Sequence, residues 1–448
     1  MFERPRAGER AVLVRLGIGA PADPEDIQEF DQLARSAGAI PVASVGGRRD
    51  RPDPRFYVGS GKADEIRAIA AAENAEVVLF DHPLSPSQER NLEKLIERRV
   101  LDRSGLILDI FAQRARSHEG KLEVELAQLK HIATRLVRGW SHLERQRGGG
   151  IGNRGPGETQ LETDRRLLGK RVKTLTARLE KIKQQRETGR QQRAEIPIPS
   201  LALVGYTNAG KSTLFRALTG ADAYVADQLF ATLDPTVRRI VLPGNTQVVV
   251  ADTVGFIREL PHELVAAFQS TLTEAREATL LLHVVDVSDP RRDEHIDEVN
   301  RVLGEIGAAD LPQILVFNKI DRLGVEPRLE RDESGRVSHV WLSAVREQGL
   351  ELLREAVAER LARVARRATL RLPVAAGELR ARLYAAGLVQ AERIAEDGAF
   401  EIETELSDFE LLKWAREPGV QIQALDGGSA CTPAGAYLQS SPARRSSP

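Results

Sequence analysis

The segment Gly205-Tyr-Thr-Asn-Ala-Gly-Lys-Ser212 constrains this chain more than any other. It lies between an apolar strand-like run, Leu201–Val204, and a helix-like run, Thr213–Leu218. A phosphate-binding loop typically has a glycine, any four residues and then Gly-Lys-Ser, and it lies between a strand and a helix. Glycines let backbone N–H groups turn toward phosphates, and the helix adds the positive end of its dipole. The sequence therefore predicts a doubly wound α/β domain with a mixed sheet and a nucleotide site.

Three later motifs follow strand-like runs in the order that a guanine-nucleotide site requires. Asp252-Thr-Val-Gly-Phe256 supplies a carboxylate for Mg²⁺ and a Gly255 N–H for the γ-phosphate. In the motif Asn318-Lys-Ile-Asp321, the carboxylate of Asp321 can accept hydrogen bonds from guanine N1–H and the guanine amine. Adenine cannot supply this pair of donors. Ser343-Ala-Val345 is expected to offer a backbone N–H to the guanine oxygen. Together the motifs predict GTP, and not ATP, as the nucleotide.

Each motif residue has a predicted role. Lys211, Thr232 and Gly255 are expected to act in catalysis, and Ser212, Thr232 and Asp252 to hold Mg²⁺. Thr232 is the first candidate for the threonine that closes on Mg²⁺ and the γ-phosphate, and Thr236 is the second. The alternative is that Thr232 is an ordinary loop residue. The predicted nucleotide-binding residues are Gly205, Tyr206, Thr207, Asn208, Ala209, Gly210, Lys211, Ser212, Thr213, Phe230, Ala231, Thr232, Asp252, Thr253, Val254, Gly255, Asn318, Lys319, Asp321, Ser343, Ala344 and Val345.

Two positions bear on the rate of hydrolysis. Phe256 stands where many GTP-binding domains carry a glutamine that orients the attacking water, and a phenyl ring cannot bind water. Slow intrinsic hydrolysis is therefore expected, and core packing is the other role open to Phe256. Asn208, at the fourth position of the phosphate-binding loop, is a hypothetical K⁺ ligand, with loop stabilisation as the alternative.

The chain of 448 residues is too long for one core and is predicted to be an α/β multidomain protein. Alternating strands and helices predict an N-terminal α/β unit, and two heptad-patterned helices predict an antiparallel hairpin. A β-α-β-β-α-β pattern after the nucleotide-binding domain is typical of a ferredoxin-like fold. The predicted boundaries are 1–110 for the N-terminal domain, 111–195 for the hairpin with a glycine-rich tip at 147–157, 198–365 for the nucleotide-binding domain, 366–426 for the C-terminal domain and 427–448 for a disordered tail.

Charge and cysteine content narrow the class of protein further. The net charge is −1, but the segment from Lys130 to Glu195 is rich in Lys and Arg. Such a segment suits contact with RNA, although a solvated helix face gives the same pattern. A single cysteine, no apolar run of membrane length and no signal-peptide core predict a cytoplasmic protein. A monomer is also expected.

Several motifs outside the nucleotide site resemble those of the HflX family of ribosome-associated GTPases. They are Phe56-Tyr-Val-Gly-Ser-Gly-Lys62, Asp109-Ile-Phe-Ala-Gln-Arg-Ala-Arg116 with Glu119-Gly-Lys-Leu122, Arg147-Gly-Gly-Gly-Ile-Gly-Asn-Arg-Gly-Pro-Gly157, and Gly157-Glu-Thr-Gln-Leu-Glu-Thr-Asp-Arg-Arg166, combined with Phe230–Pro235 and Asp252–Phe256. The resemblance runs from about residue 10 to residue 365. It implies binding to the large ribosomal subunit and its RNA, and splitting of stalled or idle ribosomes under stress.

Two other functions remain open at this stage. One is a ribosome-assembly GTPase that acts on ribosomal RNA, and the other is an ATP-driven RNA remodeller with GTP as a regulator. Gly59-Ser-Gly-Lys62 bears on the second, because the family has been credited with ATP binding in its N-terminal part. That segment is shorter than a phosphate-binding loop and has no Ser or Thr after the lysine, so a structural turn or an RNA-facing loop is the alternative.

Overall fold

The chain forms two compact units, residues 1–356 and 357–448, and each is described by itself. The structure is a computed structural model. It describes residues 8–138, 156–193, 198–220, 229–243, 246–258, 269–362, 365–373, 376–385, 387–395, 397–407, 414 and 420–424.

A four-stranded parallel sheet in the order β2-β1-β3-β4 opens the first unit. Its strands are β1 Arg10–Ile18, β2 Ile40–Arg49, β3 Val77–Phe80 and β4 Arg99–Asp102, and its helices are α1 Pro24–Ser36, α2 Ser60–Ala72, α3 Pro86–Ile96 and α4 Arg103–Arg114. Asp23 caps α1, and Ser85 with Gln88 forms a capping box at α3. The sequence prediction lacks β4 and α4, because four residues directly after a helix give little period-2 signal.

Two long helices follow, α5 His118–Arg138 and α6 Pro156–Arg193. The helices meet as predicted from their apolar spacing, and Leu122, Leu126, Leu175 and Leu179 form one buried cluster. The predicted glycine-rich tip is wrong at its last two residues, because α6 begins at Pro156. Proline fits the first turn of a helix, where its missing N–H would have no partner. Residues 147–155 of the tip lie outside the described residues.

The second part of the first unit is a seven-stranded sheet in the order β10-β11-β9-β8-β5-β7-β6. Strands β5, β7, β8, β9 and β11 are parallel, whereas β6 and β10 are antiparallel to their neighbours, so the predicted mixed sheet is confirmed. Its strands are β5 Ser200–Val204, β6 Thr236–Leu242, β7 Thr246–Asp252, β8 Leu280–Asp286, β9 Gln313–Asn318, β10 Arg328–Arg331 and β11 Val337–Trp341. Its helices are α7 Lys211–Thr219, α8 Gln269–Arg276, α9 Arg292–Glu305 and α10 Leu350–Ala362.

One hydrophobic cluster joins the two sheets of the first unit. It contains Phe30 from α1 and Phe111 from α4, together with Phe230 and Leu233 from the loop before β6. The rings of Phe111 and Phe230 meet edge to face, with centroids 4.7 Å apart. The loop that carries Thr232 is therefore packed against the N-terminal part of the chain.

The second unit contains a four-stranded sheet in the order β13-β14-β12-β15. Its strands are β12 Ala365–Leu372, β13 Ala391–Ile394, β14 Phe400–Ser407 and β15 Gln421–Ala424, with helix α11 Gly377–Ala385 between the first two. Most of the predicted second helix, 408–416, lies outside the described residues, so the ferredoxin-like fold stays a prediction, as do the domain boundaries. Among the helices described, none is long and apolar enough to span a membrane.

Candidate nucleotide site

The phosphate-binding loop joins β5 to α7 and is shaped by two glycines, Gly205 and Gly210. Gly205 has a φ of 148° and Gly210 a φ of 98°. A β-carbon on Gly205 would lie 2.2 Å from the carbonyl oxygen of Val284, and one on Gly210 would lie 2.2 Å from Asn318 Nδ2. Glycine is therefore required at both positions by backbone angle and by space.

Lys211 is the first residue of α7 and is buried at the centre of the loop. Its Nζ donates to the carbonyl oxygens of Gly205, at 3.0 Å, and Tyr206, at 2.7 Å. Burial lowers the pKa of Lys211 to about 8, against the attraction of Asp252. A buried ammonium without an anionic partner in contact is costly, so this site favours a ligand that brings negative charge.

Three oxygen-bearing side chains from three different elements meet beside the loop. Ser212 Oγ lies 2.7 Å from Thr232 Oγ1 and donates to Asp252 Oδ2 at 2.7 Å, and Thr232 Oγ1 lies 3.0 Å from the same carboxylate oxygen. Asp252 is 1% exposed, its burial raises its pKa, and its Oδ1 is buried with no hydrogen-bond partner among the described residues. Hard oxygen donors with one unsatisfied carboxylate oxygen fit Mg²⁺. Thr236, the competitor of Thr232, instead pairs with Asp252 in the β6–β7 ladder.

Asn318 braces the loop against the segment after β11. Its Nδ2 donates to the carbonyl of Ala209, and its Oδ1 accepts from the N–H of Ala344, both at 2.9 Å. Lys319 Nζ donates to the carbonyl of Asn208 at 2.7 Å and to Asp286 at 2.7 Å. The asparagine and lysine of this motif therefore set the position of the phosphate-binding loop.

Asp321 lies beside the predicted guanine-facing segment and accepts a hydrogen bond from the Ser343 hydroxyl. The N–H of Ser343 donates to Gln348, and that of Ala344 donates to Asn318. Both N–H groups are therefore engaged within the protein, and the contact of this segment with the guanine oxygen stays a prediction. Val345 is 74% exposed.

The side chain of Tyr206 contacts residues outside the phosphate-binding loop. Its ring stacks on His295 with centroids 3.8 Å apart, its hydroxyl donates to Glu29 of α1, and it accepts from the N–H of Arg258 at 2.9 Å. Burial and the neighbouring Glu29 carboxylate raise the pKa of Tyr206 well above its usual value. The side chain therefore contacts the N-terminal part of the chain, and only the Tyr206 carbonyl faces Lys211.

A second contact to α1 starts from Arg258, two residues after Phe256. Arg258 donates to Asp26 of α1 at 2.9 Å, and its carbonyl accepts from Arg103 at 2.9 Å. Arg291 also donates to Asp26 at 2.7 Å, and Arg15 forms a further ion pair with it. Burial alone would raise the pKa of Asp26, but these guanidinium groups lower it overall. The sequence prediction missed this network, because its partners are far apart along the chain.

Asp234, two residues after Thr232, connects the site to the long helices. Its carboxylate accepts from the N–H groups of Arg116, at 2.6 Å, and Ser117, at 2.8 Å, and from the Ser117 hydroxyl. These groups directly precede α5. The sequence prediction gave Asp234 no role. Aspartate often caps helices, but no helix begins next to Asp234 in the sequence, so this signal could not be used.

A small cavity holds many of the predicted phosphate-contacting residues together. Of the predicted set, those lining it are Thr207, Asn208, Gly210, Lys211, Ser212, Thr213, Phe230, Ala231, Thr232, Thr253 and Gly255. Asn318 and Lys319 lie at the carboxyl end of β9 and contact the same loop at the carbonyls of Ala209 and Asn208, whereas Asp321 contacts Ser343. The two groups of motifs therefore meet on one edge of the sheet, as expected for an open α/β sheet.

Known proteins match almost the whole chain. The family model described as GTP-binding GTPase N-terminal matches residues 24–112, the GTP-binding GTPase Middle Region matches residues 114–193, and the 50S ribosome-binding GTPase model matches residues 200–319. A protein named GTPase HflX from Escherichia coli (strain K12) is 56% identical over 417 residues, which cover 93% of this chain and 97% of that protein. This chain belongs to the HflX family of GTPases.

A second HflX relative, from Caldanaerobacter subterraneus subsp. tengcongensis, is 48% identical over 361 residues, which cover 81% of this chain and 82% of that protein. Among solved structures, a GDP complex of a protein called SsGBP aligns with 79% of this chain and 98% of its own, at 25% identity and a TM-score of 0.46. Membership of the HflX family confirms the predicted GTP-hydrolysing enzyme.

Proposed function

We propose that this HflX-family GTPase binds the large ribosomal subunit and splits stalled or idle 70S ribosomes in a stress response. The supporting observation is the hydrogen bonding of Asp234 to Ser117. It links the loop that carries Thr232, the proposed sensor of Mg²⁺ and γ-phosphate, to the start of α5. A change at the γ-phosphate is thereby passed to the long helices, which carry the basic segment suited to ribosomal RNA.

The nucleotide in this proposal is held by the residues predicted for it. Ser212, Thr232 and Asp252 would hold Mg²⁺, which neutralises charge on the β- and γ-phosphates. Lys211 would contact the same phosphates, Gly255 would donate its N–H to the γ-phosphate, and Asp321 would recognise guanine. K⁺ at Asn208 is part of the proposal, and Asn208 is exposed next to the phosphate cavity. The cytoplasmic location and the monomeric state stay predictions.

Separation of ribosomal particles on a sucrose gradient tests this function against its competitors. Purified 70S ribosomes are incubated with the protein and GTP, GDP or ATP. A splitting GTPase converts 70S particles into subunits with GTP, whereas an assembly GTPase binds free large subunits and leaves 70S particles intact. Conversion that needs ATP would instead support the RNA remodeller and contradict the proposal.

The glycine-rich tip is the proposed ribosome-contacting end of the helical pair. Because α6 begins at Pro156, a deletion of residues 148–155 with a short Gly-Ser replacement removes the tip without entering that helix. This variant and Arg154→Glu are expected to keep the GTP affinity of the free protein and to lose splitting and most ribosome-stimulated hydrolysis. Arg154→Glu should also lower the salt dependence of ribosome binding, since fewer counterions are released. A deletion variant that still splits ribosomes at the wild-type rate would show that the tip is a passive connector.

A further inference from the structure

Phe256 occupies the position at which many GTP-binding domains carry the glutamine that orients the attacking water. Its ring is 1% exposed and packs in the core of the first unit. Its backbone is also engaged, because its N–H donates to the Gly205 carbonyl at 3.1 Å and its carbonyl accepts from the Thr207 N–H at 2.7 Å. Phe256 therefore cannot reach or bind a water at the γ-phosphate, and another polar group must position that water.

Thr207 lies at the point where the predicted γ-phosphate contacts converge. A β-carbon placed on Gly255 would lie 3.0 Å from both Cα and Cγ2 of Thr207 and 2.9 Å from Lys211 Nζ. The Thr207 side chain thus borders both the glycine whose N–H is assigned to the γ-phosphate and the lysine assigned to the β- and γ-phosphates. It also lines the phosphate cavity.

The Thr207 hydroxyl is buried and has no hydrogen-bond partner among the described residues. Thr207 as a whole is 6% exposed. Buried hydroxyls in proteins nearly always have a partner, so one left unpaired at the edge of a binding cavity points to a ligand or a bound water.

The neighbouring hydroxyls are already engaged. Ser212 and Thr232 hydrogen-bond to Asp252, and Thr253 Oγ1 donates to the Leu203 carbonyl at 2.6 Å. Thr207 is therefore the hydroxyl beside Gly255 and Lys211 that is available to the reacting groups.

We propose that Thr207 is a catalytic residue whose Oγ1 accepts a hydrogen bond from the attacking water and aims its lone pair at the γ-phosphorus. The water oxygen forms a bond to phosphorus as the bond from phosphorus to the β–γ bridging oxygen breaks, and GDP leaves with that electron pair. One water proton stays on the new P–OH group, and the other passes to a γ-phosphate oxygen. Thr207 holds the water and transfers no proton of its own.

This role rests on the proposed position of the γ-phosphate. It explains how a chain with phenylalanine at 256 retains a polar contact to the water. It also accounts for threonine at position 207, because Cγ2 borders Gly255 while Oγ1 has no hydrogen-bond partner among the described residues.

The matched pair Thr207→Val and Thr207→Ser tests the proposal. Valine keeps the shape and removes the hydroxyl, whereas serine keeps the hydroxyl and removes the methyl group. Single-turnover GTP hydrolysis is measured with and without ribosomes, and the Kd of a non-hydrolysable GTP analogue is measured by titration. We expect Thr207→Val to slow hydrolysis by about 100-fold or more, as for the loss of one hydrogen bond that acts in the transition state. The Kd of Thr207→Val should stay within about threefold of wild type. Thr207→Ser should keep both its hydrolysis rate and its Kd within about threefold of wild type.

Three results would overturn the role. They are a Thr207→Val rate equal to wild type, a Thr207→Val defect that lies in affinity and not in rate, and a Thr207→Ser rate as slow as that of Thr207→Val. Thr207→Ala also removes the hydroxyl and should be slow as well, which covers the case in which valine disturbs folding. Asp321→Asn, measured beside these variants, reports on the site assignment separately, because unchanged GTP affinity there would refute the nucleotide site itself.

Discussion

Asp234 holds the residue that caps α5, because its carboxylate accepts hydrogen bonds from both the N–H and the hydroxyl of Ser117. Ser117 is the cap itself, since its hydroxyl accepts from the N–H of Gly120 at 2.9 Å. The support for this cap comes from the loop that also carries Thr232, 117 residues further along the chain. Nucleotide-dependent movement of that loop would therefore remove or restore the support of a helix cap.

Asp234→Ala is expected to uncouple the helices from the nucleotide. Loss of the hydrogen bonds to the capping residue Ser117 should lower the free energy of unfolding by about 1 kcal/mol, seen as a lower Tm. GTP affinity of the free protein should stay near wild type, since Asp234 is not among the residues that line the phosphate cavity. Ribosome-stimulated hydrolysis should fall about tenfold, as expected for loss of a coupling contact. The surface variant Asp310→Ala is the control and should match wild type.

Gly120→Ala provides an independent test of the same contact. A β-carbon at Gly120 would lie 2.4 Å from Asp234 Oδ1, so the alanine should displace the carboxylate without removing it. Its stimulated rate should fall as that of Asp234→Ala does. Full ribosomal stimulation in both variants would refute the coupling.

Guanine specificity is expected to depend on Asp321. In Asp321→Asn, an amide donor replaces one acceptor oxygen opposite guanine. GTP affinity should fall by ~2–4 kcal/mol, with a gain of affinity for xanthosine triphosphate. Titration with both nucleotides checks this, with Asp310→Asn as the control. Wild-type GTP affinity in Asp321→Asn would show that the base-binding residues are misassigned.

Potassium is expected to accelerate hydrolysis through Asn208. Rates in KCl and NaCl are compared at equal ionic strength, on and off the ribosome, and KCl should give about tenfold or more, as for a positioned charge at the leaving group. Asn208→Gly is the informative variant, because Asn208 has a φ of 59° that glycine tolerates. It should lose the preference for KCl. Equal wild-type rates in the two salts would remove K⁺ from the mechanism.

GTP binding should take up a proton at alkaline pH. Burial holds the pKa of Lys211 at about 8, so the free protein loses this charge as pH rises through 8. The phosphates of GTP favour the ammonium and raise its pKa, and bound protein therefore keeps the proton. Calorimetry in buffers of different ionisation enthalpy should show uptake of about half a proton at pH 8 and almost none at pH 6.5. Equal proton uptake at the two pH values would contradict the assigned environment of Lys211.

The sequence was informative where chemistry depends on residues close together in the chain. The loop from Gly205 to Ser212 and the motifs beginning at Asp252 and Asn318 each follow a strand, and parallel strands bring their carboxyl ends to one edge. Their meeting place follows from that geometry. Ser212 reaches Asp252 from the first turn of α7, which follows β5, the strand paired with β7.

Contacts between distant segments were not predictable in this way. Asp26 and Arg258 are 232 residues apart, and each belongs to an unremarkable charged stretch, so no local pattern pairs them. Tyr206 lies inside the phosphate-binding loop, yet its side chain contacts α1. The motif fixes the backbone of this position but not its side chain, which is free to contact a distant segment. Pro156 was assigned to a loop, although the same residue also fits the first turn of a helix.

Light scattering of 70S ribosomes, mixed rapidly with the protein and nucleotide, tests ribosome splitting most directly. Separated subunits scatter less light than intact 70S particles. With GTP, the signal should fall to the level of a subunit mixture, whereas GDP should leave it unchanged. An unchanged signal with GTP, while GTP hydrolysis proceeds in the same sample, would contradict the proposed function.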